Sequence, residues 1–280
     1  MTRPLSITGA TRLYAIIGDP IAQVRSPQVF TERFAAMGGD AVLVPAHVPA
    51  DRFDAIVPAL LALGNLDGVL VTVPFKSRML PFAERMGATA KIIGAVNALR
   101  READGSWTGD MFDGLGFVRG AESKRARIRG RRVTLFGAGG AGSAIACALA
   151  DAGVQSIDII DIDAPKAKKL VERLKPAFPG CALAAASGMR GGVDMVVNAS
   201  PVGMRPDDGL PADIGRLDSG TLVGDVVIAQ APTAMIRHAI HWGCDWVDGR
   251  DMHAGQVEAL LAFFASTSRT GSIEPARAVQ

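Results

Sequence analysis

The feature that most constrains the fold is the stretch of residues 133–142, V-T-L-F-G-A-G-G-A-G. Apolar, β-favouring residues run directly into a glycine turn, and residues 143–152 follow as a helix of small side chains. This order predicts a strand, a G-x-G-x-x-G turn and a helix within a doubly wound α/β domain. In such a turn the first glycine allows the tight bend, the second lets backbone approach a pyrophosphate, and the third lets the helix pack against the strand.

A second strand strengthens this interpretation. Residues 156–160, S-I-D-I-I, contain three isoleucines, and Asp161 follows them about 20 residues after the glycine turn, as the dinucleotide fingerprint requires. The unpaired N–H groups at the start of the helix would hold the pyrophosphate. We therefore predict a dinucleotide site that includes Asp161 and the residues of the turn, namely Gly137, Ala138, Gly139, Gly140, Ala141 and Gly142.

Length and composition bound the remaining choices. A chain of 280 residues exceeds the usual single-domain range of about 50–200 residues, so we expect two domains. The net charge of +2 gives no reason to expect nucleic acid or a membrane surface as a partner. The three scattered cysteines predict a reducing compartment without disulfides or a metal site. With neither a signal peptide nor a membrane-spanning apolar run in sight, we expect a cytoplasmic protein.

Strand and helix patterns alternate on both sides of the glycine turn. Besides the strand at 133–136, the predicted strands are 13–17, 41–45, 68–73, 156–160, 195–198 and 221–227, the last three being parallel. The predicted helices outside the turn are 27–37, 52–63 and 254–265, followed by a polar tail over 266–280. This pattern predicts two α/β units, with the dinucleotide unit second.

Short motifs along residues 13–264 resemble, in their order, those of the shikimate dehydrogenases. These are Gly18-Asp19-Pro20-Ile21 with Ser26-Pro27, V-T-V-P-F-K at 71–76, Gly94-Ala95-Val96-Asn97, Asp113-Gly114, the glycine turn, N-A-S-P-V-G-M at 198–204, and Gly249 with Met252 and Gln256. The resemblance implies a substrate-binding domain (1–112), a Rossmann-like dinucleotide-binding domain (113–248) and a C-terminal helix returning to the first domain (249–280). Its active site would lie in the cleft between the domains. It leaves monomer and homodimer open.

The implied activity is hydride transfer between a nicotinamide cofactor and a small cyclic hydroxy acid. Shikimate, oxidised to 3-dehydroshikimate, is the best single substrate, with quinate or a related hydroxy acid as the alternative. A catalytically weak NAD-binding regulatory protein is the alternative from another class, but such a sensor has no need of a proton-transfer pair. A folate-type methylene dehydrogenase fits the aspartate and C-terminal glutamine motifs less well.

The resemblance assigns roles to individual residues. Lys76 follows a strand, and α/β proteins bind ligands at the carboxyl ends of their strands. The resemblance implies that Lys76 is the acid–base group. It also implies that Asp113 orients Lys76 or holds a second substrate hydroxyl. Without the resemblance, Lys76 reads as a solvated lysine and Asp113 as a helix cap. The implied substrate contacts are Ser26, Thr72, Asn97, Gln256 and the position of Val24. Beyond the glycine turn and Asp161, the implied cofactor contacts are Asn198, Ser200, Pro201, Gly203, Met204, Val226, Gly249 and Met252.

The departures from the family pattern concentrate around the substrate. The first serine of the family's Ser-x-Ser motif is Val24 here, and its Asn-Thr pair before the aspartate is Met111-Phe112. The other departures are Gln23, Leu70, Ile228 and Gln230. Losing a hydroxyl that binds a carboxylate in a buried site costs about 1–3 kcal/mol, so we expect weakened shikimate binding or a changed substrate. Apolar side chains that only fill the same pocket are the alternative explanation.

The residues after the second strand of the dinucleotide domain bear on cofactor choice. Family members that use NADP carry an arginine there for the 2′-phosphate, whereas this chain has Asp161-Ile162-Asp163. A carboxylate accepts hydrogen bonds from a free ribose hydroxyl and repels a phosphate. Lys166, Lys168 and Lys169 follow, but we place them in solvent on the next helix. The sequence therefore predicts NAD in preference to NADP.

Overall fold

The structure is a computed structural model that describes residues 7–266. The chain divides into two compact units. The first unit comprises the residues up to Met111 together with those from Val257 onward, and the second comprises Phe112–Gln256. Both units are mixed α/β layers, which confirms the predicted fold class.

The first unit is built on a mixed sheet. Its strands are β1 (Arg12–Gly18), β2 (Ala41–His47), β3 (Leu66–Val71), β4 (Arg85–Met86), β5 (Ala98–Arg101) and β6 (Trp107–Asp110). Its helices are α1 (Ser26–Ala36), α2 (Phe53–Leu61) and α3 (Ala88–Ile93), with short 3₁₀ turns at Ala50–Arg52 and Leu80–Phe82. The strand order is β2-β1-β3-β5-β6-β4, and β1 is parallel to both of its neighbours. Strand β5 is antiparallel to β3 and β6.

The second unit is built on a wholly parallel sheet. Its strands are β7 (Arg132–Phe136), β8 (Ser156–Ile160), β9 (Ala182–Ala185), β10 (Met195–Asn198), β11 (Leu222–Asp225) and β12 (Trp246–Val247). Its helices are α4 (Asp113–Ser123), α5 (Gly140–Asp151), α6 (Ala164–Leu174) and α7 (Ala234–His241). The strand order β9-β8-β7-β10-β11-β12 corresponds to 3-2-1-4-5-6 when β7 is counted first, which is the Rossmann order. The order therefore reverses between β7 and β10.

The last helix, α8 (Gly249–Ala265), begins in the second unit and ends in the first. Its last turns join the aromatic core of the first unit, where the Phe264 ring centroid lies 5.0 Å from that of Tyr14 and 6.3 Å from that of Phe30. Arg100 also donates a hydrogen bond to the carbonyl of Phe263 (2.8 Å). The apolar face of α8 therefore has a defined place in that core.

Several elements differ from the sequence prediction. Strands β8 and β10 have the predicted bounds, but α8 begins at Gly249 instead of at residue 254. The antiparallel pair β5 and β6 was not predicted, because Arg100 and Arg101 interrupt the apolar pattern of β5. Asp113 is the first residue of α4 and Phe112 its N-cap, so Asp113 is not the cap residue. Apart from Ser266, the predicted polar tail lies outside the described residues. None of the described helices is long and apolar enough to cross a membrane.

Candidate functional site

The predicted dinucleotide residues gather at the carboxyl ends of neighbouring strands in the second unit. The glycine turn follows β7, residues 198–204 follow β10, Asp161 follows β8 and Val226 follows β11. These four strands are adjacent in the order β8-β7-β10-β11. Ligands of doubly wound sheets bind at the carboxyl ends of the strands, where the strand order reverses. The turn after β7 and the loop after β10 flank that position.

The room available for a side chain explains why glycines occupy this turn. Gly137 has a φ of +100°, and a Cβ there would lie 2.8 Å from the carbonyl of Ala199. A Cβ on Gly142 would overlap the carbonyl oxygen of Gly137. In contrast, nothing among the described residues lies within 4 Å of a Cβ built on Gly139. The turn is therefore tight on the protein side and open at Gly139, which fits the close approach of a pyrophosphate.

Hydrogen bonds fix the loop of residues 198–204. The buried Asn198 accepts hydrogen bonds at Oδ1 from the backbone N–H (3.1 Å) and the hydroxyl (2.6 Å) of Ser200. Its Nδ2 donates to the carbonyl of Val202 (2.8 Å) and to Asp225 Oδ1 (3.0 Å). Within the same loop Pro201 and Met204 are exposed, and Gly203 is half-buried with a φ of +104°. Asn198 therefore stabilises the loop from inside, whereas Pro201 and Met204 lie on its exposed side.

Two further predicted cofactor positions lie side by side. Gly249 is buried, and a Cβ there would overlap the carbonyl of Val226. The N–H of Val226 in turn donates to the carbonyl of Asn198 (3.0 Å). Met252 is buried one turn further along α8. The structure therefore connects the start of α8 to the loops at the carboxyl edge of the sheet.

Glycines on α4 bring Asp113 and Gln256 to one region of the second unit. A Cβ on Gly114 would overlap the carbonyl of Ala144 in α5, and a Cβ on Gly116 would lie 2.9 Å from the Cβ of Gln256 in α8. Asp113 lies one turn before Gly116 on the same face of α4. Both predicted polar residues are buried, with 3% of Asp113 and 8% of Gln256 exposed. Helix α4 therefore holds the Asp113 turn close to the α8 turn that bears Gln256.

In the first unit, backbone hydrogen bonds join the predicted lysine loop to the asparagine motif. Lys76 is half-buried in the loop after β3, and its carbonyl accepts a hydrogen bond from the N–H of Val96 (3.0 Å). The carbonyl of the next residue, Asn97, accepts from Val71 (2.8 Å). Asn97 is 5% exposed. Thr72 donates its N–H to Ile17 of β1 (2.9 Å), so its position at the end of β3 is also fixed.

The motif after β1 lies at the same edge of the first sheet. Its Asp19 N–H donates to the carbonyl of Val73 (2.9 Å), which ties the motif to the lysine loop. Ser26 is buried at the first position of α1, whereas Val24 is half-buried and lines a groove of about 340 Å³ with Ile21 and Pro45. The first unit therefore brings Ser26, Thr72, Lys76 and Asn97 to connected loops. Among the substituted positions, Met111 is buried at 3% exposure and Phe112 is half-buried.

The sequence reasoning missed Asp225, which is fully buried at the end of β11. Burial raises the pKa of Asp225 to about 6, although hydrogen bonds from Thr233, Val227 and Asn198 act to lower it. The sequence feature that could have identified Asp225 is a carboxylate at the end of an apolar strand, next to a predicted cofactor residue. It was read only as part of a strand.

Comparison with known proteins places the chain among shikimate dehydrogenases. A family model described as the shikimate dehydrogenase substrate binding domain matches residues 16–99, and a model of the ThiF family matches residues 115–170. The shikimate dehydrogenase (NADP(+)) of Rubrobacter xylanophilus is 37% identical over 278 residues, which cover 96% of each chain.

Solved structures agree over nearly the whole chain. A shikimate 5-dehydrogenase from Listeria monocytogenes, in complex with shikimate and NAD, has a TM-score of 0.79 and 28% identity, covering 96% of this chain and 95% of that one. A quinate dehydrogenase from Corynebacterium glutamicum, in complex with NAD, has a TM-score of 0.78 and 28% identity, covering 94% and 95%. The similarity therefore includes both units.

The predicted preference for NAD over NADP is wrong by this comparison. The Rubrobacter relative and others at 32–34% identity are all named as NADP(+) enzymes. In the structure Asp161 also makes bonds within its own loops. Its Oδ2 accepts the N–H of Ala138 (2.7 Å) and its Oδ1 accepts that of Asp163 (2.8 Å), so the carboxylate has a local structural role. Asp163 is likewise paired with Lys166 (3.3 Å). Lys166, Lys168 and Lys169 lie exposed on α6, as predicted.

Proposed function

Since the chain belongs to the shikimate dehydrogenase family, we propose that it transfers a hydride between a nicotinamide dinucleotide and a ring hydroxyl, interconverting shikimate and 3-dehydroshikimate. The observation that carries this proposal is the glycine turn at the strand-order reversal of a Rossmann sheet, tight at Gly137 and Gly142 and open at Gly139. The turn fits a dinucleotide because backbone there meets a pyrophosphate without an intervening side chain. When bound, the nicotinamide supplies the hydride acceptor.

We assign proton transfer to Lys76. Oxidation of a secondary alcohol requires a group that takes the hydroxyl proton, and a lysine at the carboxyl end of a strand is suited to this. The support is its half-buried position in a loop that is hydrogen-bonded to the Asn97 segment. In the reducing direction Lys76 returns the proton to the alkoxide oxygen. Asp113 has the orienting role that the family resemblance gives it, or holds a second substrate hydroxyl.

We assign substrate binding to the polar residues that the family resemblance implies. Ser26 and Asn97 are buried and Thr72 is half-buried in the first unit, and Gln256 is buried in the second. Hydroxyl and amide groups of this kind hold the carboxylate and hydroxyls of a polar ring. They discriminate strongly between substrates, because a buried polar group that is left without a hydrogen-bond partner is costly. We accordingly propose the functional division into residues 1–112 for substrate, 113–248 for dinucleotide and 249–280 as the C-terminal segment.

For the cofactor we propose NADP, because the curated relatives carry that name. The residues that would hold the dinucleotide are those of the glycine turn and of the loop at 198–204. The cations available to a 2′-phosphate after β8 are the exposed lysines of α6, Lys166, Lys168 and Lys169.

The test is an assay of the purified full chain with shikimate, quinate and a panel of other hydroxy acids, each with NADP⁺ and with NAD⁺. We expect shikimate oxidation with the higher kcat/KM for NADP⁺. Equal or higher kcat/KM with NAD⁺ would contradict the cofactor assignment alone. Cofactor binding without turnover of any acid would contradict the dehydrogenase assignment and favour a regulatory protein.

Quinate is the second candidate substrate. The observation that favours it is the similarity to the quinate dehydrogenase of Corynebacterium glutamicum, at 28% identity and a TM-score of 0.78. Quinate is a ring acid related to shikimate, and the departures at Val24, Met111 and Phe112 are expected to alter the substrate pocket. In the same panel, a kcat/KM for quinate above that for shikimate would establish this alternative.

A further inference from the structure

Asp225 connects the loops at the carboxyl edge of the second sheet. Its Oδ1 accepts hydrogen bonds from Asn198 Nδ2 (3.0 Å) and from the N–H of Val227 (3.2 Å). Its Oδ2 accepts one from the Thr233 hydroxyl (2.5 Å). The side chain is fully buried. One carboxylate thus joins the ends of β10 and β11 to the segment that precedes α7.

The connection reaches the predicted cofactor loop through Asn198. Because Asn198 Nδ2 is oriented toward Asp225, its Oδ1 faces Ser200 and accepts both the N–H and the hydroxyl of that residue. The Ser200 hydroxyl oxygen then accepts the N–H of Val202 (3.2 Å). The conformation of residues 198–202 therefore depends on the amide orientation that Asp225 fixes.

The connection reaches α7 through Thr233. The Thr233 Oγ1 accepts the N–H of Ile236 and so caps the helix, while its hydroxyl hydrogen is donated to Asp225. The Thr233 hydroxyl thus donates one hydrogen bond and accepts another. Thr233 also lies 3.4 Å from a Cβ built on Gly203, the glycine of the cofactor loop. The cap and the loop therefore share this side chain.

We propose that Asp225 is a positioning residue for the dinucleotide: through Asn198 and Thr233 it holds residues 198–204 in the binding conformation, and it does so in its ionised form. The proposal rests on the proposed function. Asp225 itself is buried beneath the loop and acts through its neighbours.

The donor pattern requires the ionised form. All three of these bonds bring a hydrogen to Asp225, and hydrogen bonds to a carboxylate are about twice as strong as neutral ones. A protonated Asp225 would have to donate to Thr233 Oγ1, leaving the Thr233 hydroxyl hydrogen without its acceptor. These three donors are neutral, and the charged group that acts on Asp225, Asp248, is itself anionic. Burial without a cation therefore raises the pKa of Asp225 to about 6, so both forms are reached at mild pH.

The experiment measures the Kd of NADP⁺ and of NAD⁺ by calorimetry from pH 5 to 8, with the full-length protein. NAD⁺ is included because it lacks the 2′-phosphate, and phosphate monoesters titrate near pH 6. We expect the wild-type Kd for both cofactors to rise roughly fivefold as the pH falls through 6, since charge-assisted bonds become neutral ones. Asp225→Asn should show the weakened Kd at every pH, with no step near 6.

Matched variants separate positioning from general damage. Asp151→Asn removes a negative charge from the exposed end of α5 in the same unit and should behave as wild type. Thr233→Val removes the donor that lowers the pKa of Asp225, so the step in Kd should move to higher pH, whereas Thr233→Ser should leave it in place. This pair tests the proposal even if Asp225→Asn fails to fold.

The outcomes are distinguishable. A wild-type-like Kd and pH profile in Asp225→Asn, or an unmoved step in Thr233→Val, would overturn the positioning role. A loss of kcat with unchanged Kd in Asp225→Asn would also overturn it, because the residue would then act in chemistry. A wild-type protein that binds neither NADP⁺ nor NAD⁺ would instead overturn the proposed function on which the inference rests.

Discussion

The proposed cofactor edge of the second unit, which is the glycine turn with residues 198–204, differs in construction from the proposed substrate edge of the first unit, which is the loops bearing Lys76 and Asn97. At the cofactor edge, absent side chains matter most: Gly137 and Gly142 have no room for a Cβ, and Gly139 leaves open space. At the substrate edge, the roles proposed for Lys76 and Asn97 depend on their side chains, while backbone hydrogen bonds hold their loops together. The first proposed site is thus defined by backbone geometry and the second by side-chain chemistry.

This difference predicts which kind of substitution each site tolerates. A backbone-defined site fails when a side chain is added, even a methyl group, and at the tight positions Gly137 and Gly142 the local fold is disrupted with it. A site defined by side chains fails when one functional group is removed, with the fold intact. Asp225 is the exception at the cofactor edge, because there a buried side chain fixes the loop conformation.

The largest expected effect tests the side-chain site. Lys76→Ala should lower kcat by roughly 10²–10⁴-fold, the usual loss when a general acid–base group is removed. The Kd for NADP⁺ should stay within about twofold, since the glycine turn is untouched. Lys91→Ala, an exposed lysine on α3 of the same unit, is the control and should leave both quantities unchanged. Near-normal kcat in Lys76→Ala would remove Lys76 from the mechanism.

The next effect tests the backbone-defined site. Gly142→Ala places a Cβ against the carbonyl oxygen of Gly137, and we expect about 3 kcal/mol of lost stability, the upper end for overpacking, together with loss of cofactor binding. Gly139→Ala should unfold like wild type, because its Cβ enters open space, yet it should weaken the binding of a pyrophosphate. Urea unfolding and calorimetry on both variants give the answer. Equal stabilities would show that the turn relaxes around a methyl group.

The third effect concerns the exception, Asp225. Burial raises its pKa to about 6, so between about pH 4 and 6 the folded state binds more protons than the unfolded state. Stability is therefore lost as the pH rises through this window. Asp225→Asn carries no such penalty, and we expect it to be more stable than wild type by about 1–2 kcal/mol at pH 7.5, with a smaller difference at pH 5.

The measurement is urea unfolding of the cofactor-free protein at the two pH values, compared between variant and wild type so that other titrating groups cancel. A variant that gains stability while losing cofactor affinity would separate positioning from a structural role. A variant less stable at pH 7.5 than wild type would show that the ionised hydrogen bonds outweigh the cost of burying the charge.

The predictability of the two units follows the same division. Strands β8 and β10 were predicted to their observed bounds, because buried parallel strands are short apolar runs between helices. The glycine turn was predictable from spacing, since its geometry leaves no choice of residue. Strand β5 was missed because Arg100 and Arg101 are accommodated by particular tertiary partners, the Phe263 carbonyl and the carbonyls of Leu61 and Leu63 at and just after the end of α2.

Side-chain roles were less accessible. The role proposed for Lys76 rests on resemblance, because a lysine after a strand has no distinctive pattern. The sequence did not show that the carboxylate of Asp161 accepts two backbone N–H groups within its own loops. Asp225 was missed since nothing in an apolar strand reveals that Asn198 and Thr233 will meet there. Long-range hydrogen bonding decides such roles, and it is absent from local sequence.

The smallest expected effect restores a side chain at the substrate edge. Val24 replaces a family serine and lines the groove of about 340 Å³ with Ile21, in the loop after β1, and Pro45 of β2. Val24→Ser adds a hydroxyl where the carboxylate would lie, and one such hydrogen bond contributes about 1 kcal/mol. We expect roughly a fivefold higher kcat/KM for shikimate, mostly through a lower KM, because Lys76 is untouched. Val44→Ser, on the exposed part of β2, is the control that should change neither constant. If both variants behave alike, then Val24 faces away from the ligand, and the first unit recognises the carboxylate without it.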